Sequence, residues 1–384
     1  MAIRHRVSFL VACLVVATAG LACASPASSP AGSQPAAASG GAAAASGSAP
    51  AVAPTQAAAA PAATTGGDST APVAPVRLAY VPIISHGIFF VAWEKGYWRE
   101  AGVEVEGTEF NGSDQAMPYL ANGQLDVAGG SSGAGFLNAL SQGVGGRIVA
   151  GMSGTSDDGF IGAALIVSKE NYDSGRLTSP ADLRGKRVAV NGKGVYGEFV
   201  ADRALRQGGL TLDDADMVVL GFPDMVAALA GGSVDAIMPT EPWVSQIQDR
   251  GIGTIIAREG VDPNAQSQVL LYGEQFIRNN PEGARRFLLG YLRALRDLKR
   301  ADYKDPGDAA IIGQYTKLGP EVVLRVVPTY LDGDARINVA HLDQQQRYYA
   351  ERGYLNYREP IDLNRFVDTT WLDAAIQQLG HYQP

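Results

Sequence analysis

The chain predicts an α/β protein of two lobes, each a mostly parallel sheet with flanking helices, joined by two crossover strands that act as a hinge. Three observations carry that expectation. From Val76 onward, short β-prone runs alternate with segments of helical spacing, the pattern that builds parallel sheets covered by helices on both faces. One phrase occurs twice, LANGQLDV at 120–127 and LAGGSVDA at 229–236. Two short β-prone stretches, 163–167 and 268–272, bracket the second copy and suit a chain passing from one lobe to the other and back.

The elements follow in order. Residues 76–81 (VRLAYV) read as a first strand. Residues 89–100 place Phe89, Phe90, Trp93 and Tyr97 at helical spacing and stop at Gly102. Residues 103–105 alternate as a strand, 114–121 are helical up to Gly123, 125–128 form a strand, and 136–140 open another helix. In both copies of the repeated phrase a helix ends at a glycine, where left-handed backbone costs little, and a strand begins at the aspartate. The first of these strands runs into Gly129-Gly130-Ser131-Ser132-Gly133 and the second into Pro239-Thr240-Glu241-Pro242-Trp243. Ligands of open α/β sheets sit beyond the carboxyl ends of strands, so two such units facing each other would enclose a cleft. Past Pro281 the chain turns helical, and Phe287, Leu288, Tyr291, Leu292, Leu295 and Leu298 make one apolar stripe that reads as packing.

The first 75 residues have a different texture. Arg4 and Arg6 precede an almost unbroken apolar or small run over 7–22, too short for a comfortable membrane span and organised as a secretory signal. Cys23 after Gly20-Leu21-Ala22 resembles a bacterial lipoprotein processing site, which would lipidate Cys23; ordinary cleavage nearby would instead give a secreted protein. Residues 24–75 are Ala, Pro, Ser, Gly and Thr with almost nothing else and Asp68 as the only charge, a composition that builds no core. As a flexible coil it would reach about 40 Å root-mean-square, enough for a domain to leave a membrane surface and dock back. The expected division is therefore 1–22 signal peptide, 23–75 lipidated cysteine and linker, 76–165 with 268–384 as the first lobe, and 166–267 as the second.

Composition removes several functions. The formal charge of −8 over 384 residues argues against a general nucleic-acid binder. The only cysteines are Cys13 and Cys23, so the folded part has no disulfide framework, thiolate metal site or cysteine nucleophile. The four histidines are scattered and make no metal cluster. No cofactor is expected.

The stretch 85–98 (SHGIFFVAWEKGYW), followed by Ala101-Gly102-Val103-Glu104-Val105, resembles the opening of ABC-importer substrate-binding proteins of the sulfonate, taurine, nitrate and thiamine-pyrimidine-precursor group. Residues 179–190 (SPADLRGKRVAV) are similar to the segment that opens the second lobe in that family. The resemblance spans essentially all of 76–384. It implies a two-lobed periplasmic-binding-protein type II fold that closes on a small-molecule solute, a monomer handing that solute to a permease with a cytoplasmic ATPase, and an extracytoplasmic, membrane-anchored location. It also implies that a histidine near His86 contributes to the pocket, although His86-Gly87-Ile88 lacks the family's spacing of the glycine.

Each candidate pocket residue has two readings. His86 could bond a heteroaromatic or anionic ligand, or bond backbone at a helix start. Ser131 and Ser132 could meet a polar head group alongside free amides, or cap a helix. Residues 192–197 (GKGVYG) form G-x-G-x-x-G after a strand and before a helix, but the next strand lacks the acidic residue of a dinucleotide site. Gly194, Val195, Tyr196 and Gly197 are therefore expected as pocket wall, with amides toward an anion and Tyr196 stacked on a ring. Glu241 and Trp243 suit a ligand with N–H donors and a flat face, or sit as a solvated glutamate and a lobe-edge indole. Asp157, Asp158 and Phe160 precede the first crossover and could line the cleft, or lie in a solvated loop.

Three functions compete. The first is the solute receptor of an importer. The second is an enzyme of the thiamine-pyrimidine-synthase type, disfavoured because its cysteine-rich iron motif has no counterpart past residue 23; no G-x-S-x-G elbow supports a hydrolase either. The third is a sensor docking on a membrane kinase. For the ligand, Trp243, Tyr196, His86 and Glu241 lean toward a flat nitrogen heterocycle, whereas the glycine-rich turns and serines lean toward a sulfonate-type anion.

Overall fold

In each half of the protein, four parallel strands are interrupted by one antiparallel strand. The computed structural model describes residues 73–110, 113–143, 146–154, 162–258, 265–326 and 329–384. The expected signal segment, Cys23, the linker up to residue 72, and Asp157, Asp158 and Phe160 lie outside the described residues.

The first sheet contains β1 (Val76–Tyr80), β2 (Val105–Glu109), β3 (Val127–Ser131), β4 (Arg147–Gly154) and β10 (Gln266–Tyr272), in the order β2-β1-β3-β10-β4. The second contains β5 (Ala164–Ser168), β6 (Arg187–Val190), β7 (Asp216–Val219), β8 (Ala236–Ile237) and β9 (Gly253–Arg258), in the order β7-β6-β8-β5-β9. β10 is antiparallel to β3 and β4, and β5 is antiparallel to β8 and β9. In each sheet the odd strand is the one that arrives from the other lobe. The connections β4→β5 and β9→β10 thus tie the two sheets together twice, as the expected α/β architecture requires. β5 opens at Ala164 and the return strand β10 at Gln266.

The repeated phrase marks equivalent places in the two sheets. Asp126 opens β3 and its carboxylate accepts the backbone N–H of Arg77, at the start of β1, at 2.8 Å. Asp235 opens β8 and accepts the backbone N–H of Arg187, at the start of β6, at 2.9 Å. In each case the aspartate caps the neighbouring parallel strand. The sequence echo is therefore a repeated structural device.

Local differences from the expected elements have simple causes. The helix expected over 89–100 is α1 (Gly87–Glu94) and a separate turn, Tyr97–Glu100, because Gly96 adopts left-handed backbone between them. The strand expected at 103–105 begins at Val105, where pairing with β1 starts. Further helices are α2 (Ala134–Ser141), α3 (Tyr196–Arg206), α4 (Phe222–Ala230), α5 (Trp243–Asp249), α6 (Pro281–Arg300) and α7 (Val339–Glu351). All six residues of the α6 stripe are fully buried.

The helix α7 packs against both lobes. Its Tyr348 and His341 rings meet Phe199 of α3, in lobe 2, at 5.4 Å and 5.7 Å. Gln345, on the same face and bonded to His341 at 2.9 Å, bonds Ser132 of lobe 1. One continuous apolar core consequently includes Leu137 and Leu271 of lobe 1, Val188 and Leu205 of lobe 2, and Leu342 and Tyr349 of α7. Phe199→Ala should cost about 3–5 kcal/mol, the usual range for a truncated buried aromatic, read as a lower urea midpoint of the full chain.

Candidate ligand-binding site

Two turns at strand ends meet between the lobes. β3 ends at Ser131 and α2 starts at Ala134, while β6 ends at Val190 and α3 starts at Tyr196. The backbone N–H of Ala134 donates to the carbonyl of Gly194 at 2.7 Å. Gly133 is needed for this approach, since a Cβ there would lie 2.8 Å from the Gly194 carbonyl oxygen.

Beside this contact is a cavity of about 380 Å³, with walls from both lobes. Lobe 1 contributes Gly130, Ser131, Gly133, Ala134, Gly135 and Phe136; lobe 2 contributes Lys193, Gly194 and Val195. Met117, Leu271 and Asn138 line its lobe-1 side, and Tyr354, just beyond α7, closes it. The small residues leave backbone accessible, Phe136 and Tyr354 supply rings, and Lys193 supplies one cation. The amides of Gly135 and Phe136 lie in the first turn of α2, where no helical carbonyl is available to them.

The cavity brings together Ser131, Gly194 and Val195 from the expected set. Ser132 lies behind it, with Oγ donating to Gln345 Oε1 at 2.6 Å. Gly197 also lies behind, where a Cβ would approach the Asn191 side chain to 2.1 Å. The expectation of amides open to an anion at Gly194 is corrected, because its N–H donates to Glu198 Oε2 at 2.5 Å. The expectation that Tyr196 stacks on a ligand is corrected too: its buried ring packs near Phe199 and His341.

Glu241 and Trp243 are not among the cavity walls. The Glu241 carboxylate accepts the Ser245 N–H at 3.1 Å and its hydroxyl at 2.9 Å, which caps the first turn of α5. Trp243 packs against the lobe-2 core with Val244 and Ile247. His86 is likewise off these walls. It is fully buried, its Nδ1 accepts the Val81 N–H at 3.1 Å, and its ring meets Phe89 edge-on. That bond fixes the proton of the neutral ring on Nε2.

Tyr354, Phe136, Asn138, Met117 and Leu271 were not singled out by sequence. Phe136 reads only as the opening of a helix and Leu271 as part of the returning strand, and Tyr354 has no motif around it. Lys193 stood inside the glycine-rich phrase but was given no role.

Two measurements follow. Gly133→Ala should force the turns apart and destabilise the full chain by about 1–3 kcal/mol, as overpacking does, with faster hydrogen exchange at the Ala134 amide. Burial lowers the His86 pKa from 6.5 to about 3. The unfolded chain therefore takes up a proton below about pH 6.5 that the folded chain refuses until about pH 3. Stability should fall with decreasing pH across that window, by about 1.4 kcal/mol per unit from this group. His86→Gln should flatten that component when urea midpoints are compared at pH 6 and pH 4.

The sequence model of the NMT1-like family matches residues 69–311. The riboflavin-binding protein RibY of Chloroflexus aurantiacus is 26% identical over 226 residues, spanning 58% of this chain and 61% of its own length. The 4-amino-5-hydroxymethyl-2-methylpyrimidine phosphate synthase of Aspergillus parasiticus is 24% identical over 252 residues, 61% of this chain and 67% of its own. Among solved structures, the periplasmic aliphatic sulphonate binding protein SsuA from Escherichia coli aligns with a TM-score of 0.62 at 21% identity, over 77% of this chain and 92% of its own. The periplasmic nitrate-binding protein NrtA from Synechocystis aligns at 0.66 and 17% identity, over 80% and 89%. These two establish the fold. The expected resemblance and the observed pair of 4+1 sheets agree with them: the chain has the periplasmic-binding-protein fold and belongs to the NMT1-like family.

Proposed function

We propose that this protein is the extracytoplasmic solute-binding component of an ABC importer, and that it holds a flat nitrogen heterocycle in the cavity between its lobes. The observation that carries the reading is that both lobes, joined by Ala134–Gly194, wall one cavity of about 380 Å³. That volume falls within the range of small-molecule sites, which are largely apolar with a few placed polar groups. Phe136, Tyr354, Met117 and Leu271 supply apolar and ring surface, and the glycine-rich turn allows a flat molecule to approach backbone closely. A relative named a riboflavin-binding protein and one named a pyrimidine phosphate synthase support the heterocycle.

In this reading Cys23 carries the lipid anchor, the linker gives the domain reach, and a permease with its ATPase receives the solute from a monomer. A solute contacting both lobes stabilises their closed arrangement over any separated one, which gives the permease a state to recognise. Binding without catalysis is favoured because the sequence has no cysteine after Cys23 with which to build the synthase's iron motif. A gene for a permease and ATPase beside this one supports import, and a neighbouring histidine kinase supports sensing.

A second reading, a sulfonate-type anion, is favoured by Lys193 on the wall and by the first-turn amides of α2. Thermal melts of the full chain separate the two. Riboflavin or 4-amino-5-hydroxymethyl-2-methylpyrimidine should raise the melting temperature, with about 2.7 kcal/mol of added stability at a hundredfold excess over Kd. Taurine should not. Lys193→Ala should leave the heterocycle response intact; stabilisation by taurine alone, lost in Lys193→Ala, reverses the assignment.

A further inference from the structure

Glu198 is fully buried yet outside the cavity. A buried carboxylate is tolerated only when paired and hydrogen-bonded, and its partners here are specific. The Gly194 N–H donates to Oε2 at 2.5 Å, the Tyr354 hydroxyl donates to Oε1 at 2.8 Å, and Arg352 Nε stands 3.1 Å from Oε1. Gly194 and Tyr354 are both cavity walls. One comes from the lobe-2 turn and the other from the segment after α7. Glu198 is the third residue of α3, placed to reach back to an amide ahead of the helix, as the glutamate of a capping box does. Here the amide it reaches is Gly194, whose carbonyl makes the contact to Ala134 of lobe 1. A single side chain therefore holds the peptide that touches lobe 1 and the ring that closes the cavity.

We propose that Glu198 is the positioning residue of the solute site, fixing the distance between the Gly194 turn and Tyr354 and thereby the shape of molecule the cavity takes. The proposal rests on the cavity being the solute site, but its physical core is visible without solute. A buried ion pair adds little stability over an apolar replacement, whereas the bonds of this carboxylate to Gly194, Tyr354 and Arg352 tie three chain segments to one point. Arg352 supports the arrangement from outside: it also pairs with Asp213 of lobe 2 at 3.0 Å, and its guanidinium lies 5.8 Å from the centres of the Tyr348 and Tyr354 rings. Glu198 thereby acts on the ligand only through residues that touch it.

Hydrogen exchange read by mass spectrometry on the solute-free full chain tests this. In Glu198→Ala, peptides covering 191–197 and 352–356 should exchange about tenfold faster or more while those from β5 and β6 keep their protection, the mark of local opening. Glu198→Gln retains an oxygen for the Gly194 amide but loses the charge facing Arg352, so only 352–356 should speed up. Tyr354→Phe should likewise loosen 352–356 and spare 191–197. Unchanged exchange at 352–356 in Glu198→Gln, or a uniform rise over every peptide, overturns the proposal; the Gln variant decides it if the Ala variant does not fold. Riboflavin serves as the solute probe: Glu198→Gln should bind it about tenfold more weakly with its solute-free melt little changed. Failure of riboflavin to bind the unmodified protein would count against the heterocycle, not against Glu198, which the exchange pattern judges alone.

Discussion

The two lobes are held in one piece by a helix that belongs to neither alone. α7 buries His341, Leu342, Gln345, Gln346, Tyr348 and Tyr349, too much of its surface for packing against a single partner. His341 and Tyr348 meet Phe199 on α3, and Gln345, between them on the same face, reaches Ser132 and β10. Gln345 is the link to lobe 1. It accepts from Ser132 at 2.6 Å and donates to the Gln266 carbonyl at 2.7 Å, joining the turn after β3 to the start of the return strand. A buried amide is stable here because both of its ends are bonded. Without this helix the lobes would be connected chiefly by their crossovers and by the contact of two glycine turns.

The duplicated sheet topology explains why those turns meet. Lobe 1 sets β1 and β3 side by side and lobe 2 sets β6 and β8 side by side, each pair parallel, and in each the incoming strand, β10 or β5, runs antiparallel beside it. The carboxyl ends of β3 and β6 are thereby directed at the space between the sheets. Glycine at 133 then removes the last obstacle to direct backbone contact. The site is made of chain reversal and missing side chains as much as of functional groups, which is why its polar inventory is short.

The polar groups around the cavity are divided between two tasks. Those that touch it, Ser131, Lys193 and the first-turn amides of α2, can address a ligand. Those just behind it, Ser132 and Glu198, are bonded to the protein and hold walls in place. In a region of low dielectric an unpaired carboxylate would be costly, so Glu198 is retained with donors on both oxygens. The same reasoning applies to His86, kept neutral by burial and anchored through Nδ1.

The order of strands and helices, the glycine helix ends and the paired aspartates were legible in the sequence, because each arises from contacts within a few residues or from a pattern that repeats along the chain. The pocket turns at Ser131 and Gly194 were legible for the same reason, as strand ends rich in glycine. The sequence could not say that Glu241 would turn to Ser245, that Tyr196 would face inward, or that Tyr354 would close a cavity built from residues far away in the chain. A side chain's type states what it can bond, whereas its partner is chosen by which surfaces the folded chain brings within about 3 Å, and that choice belongs to the tertiary structure.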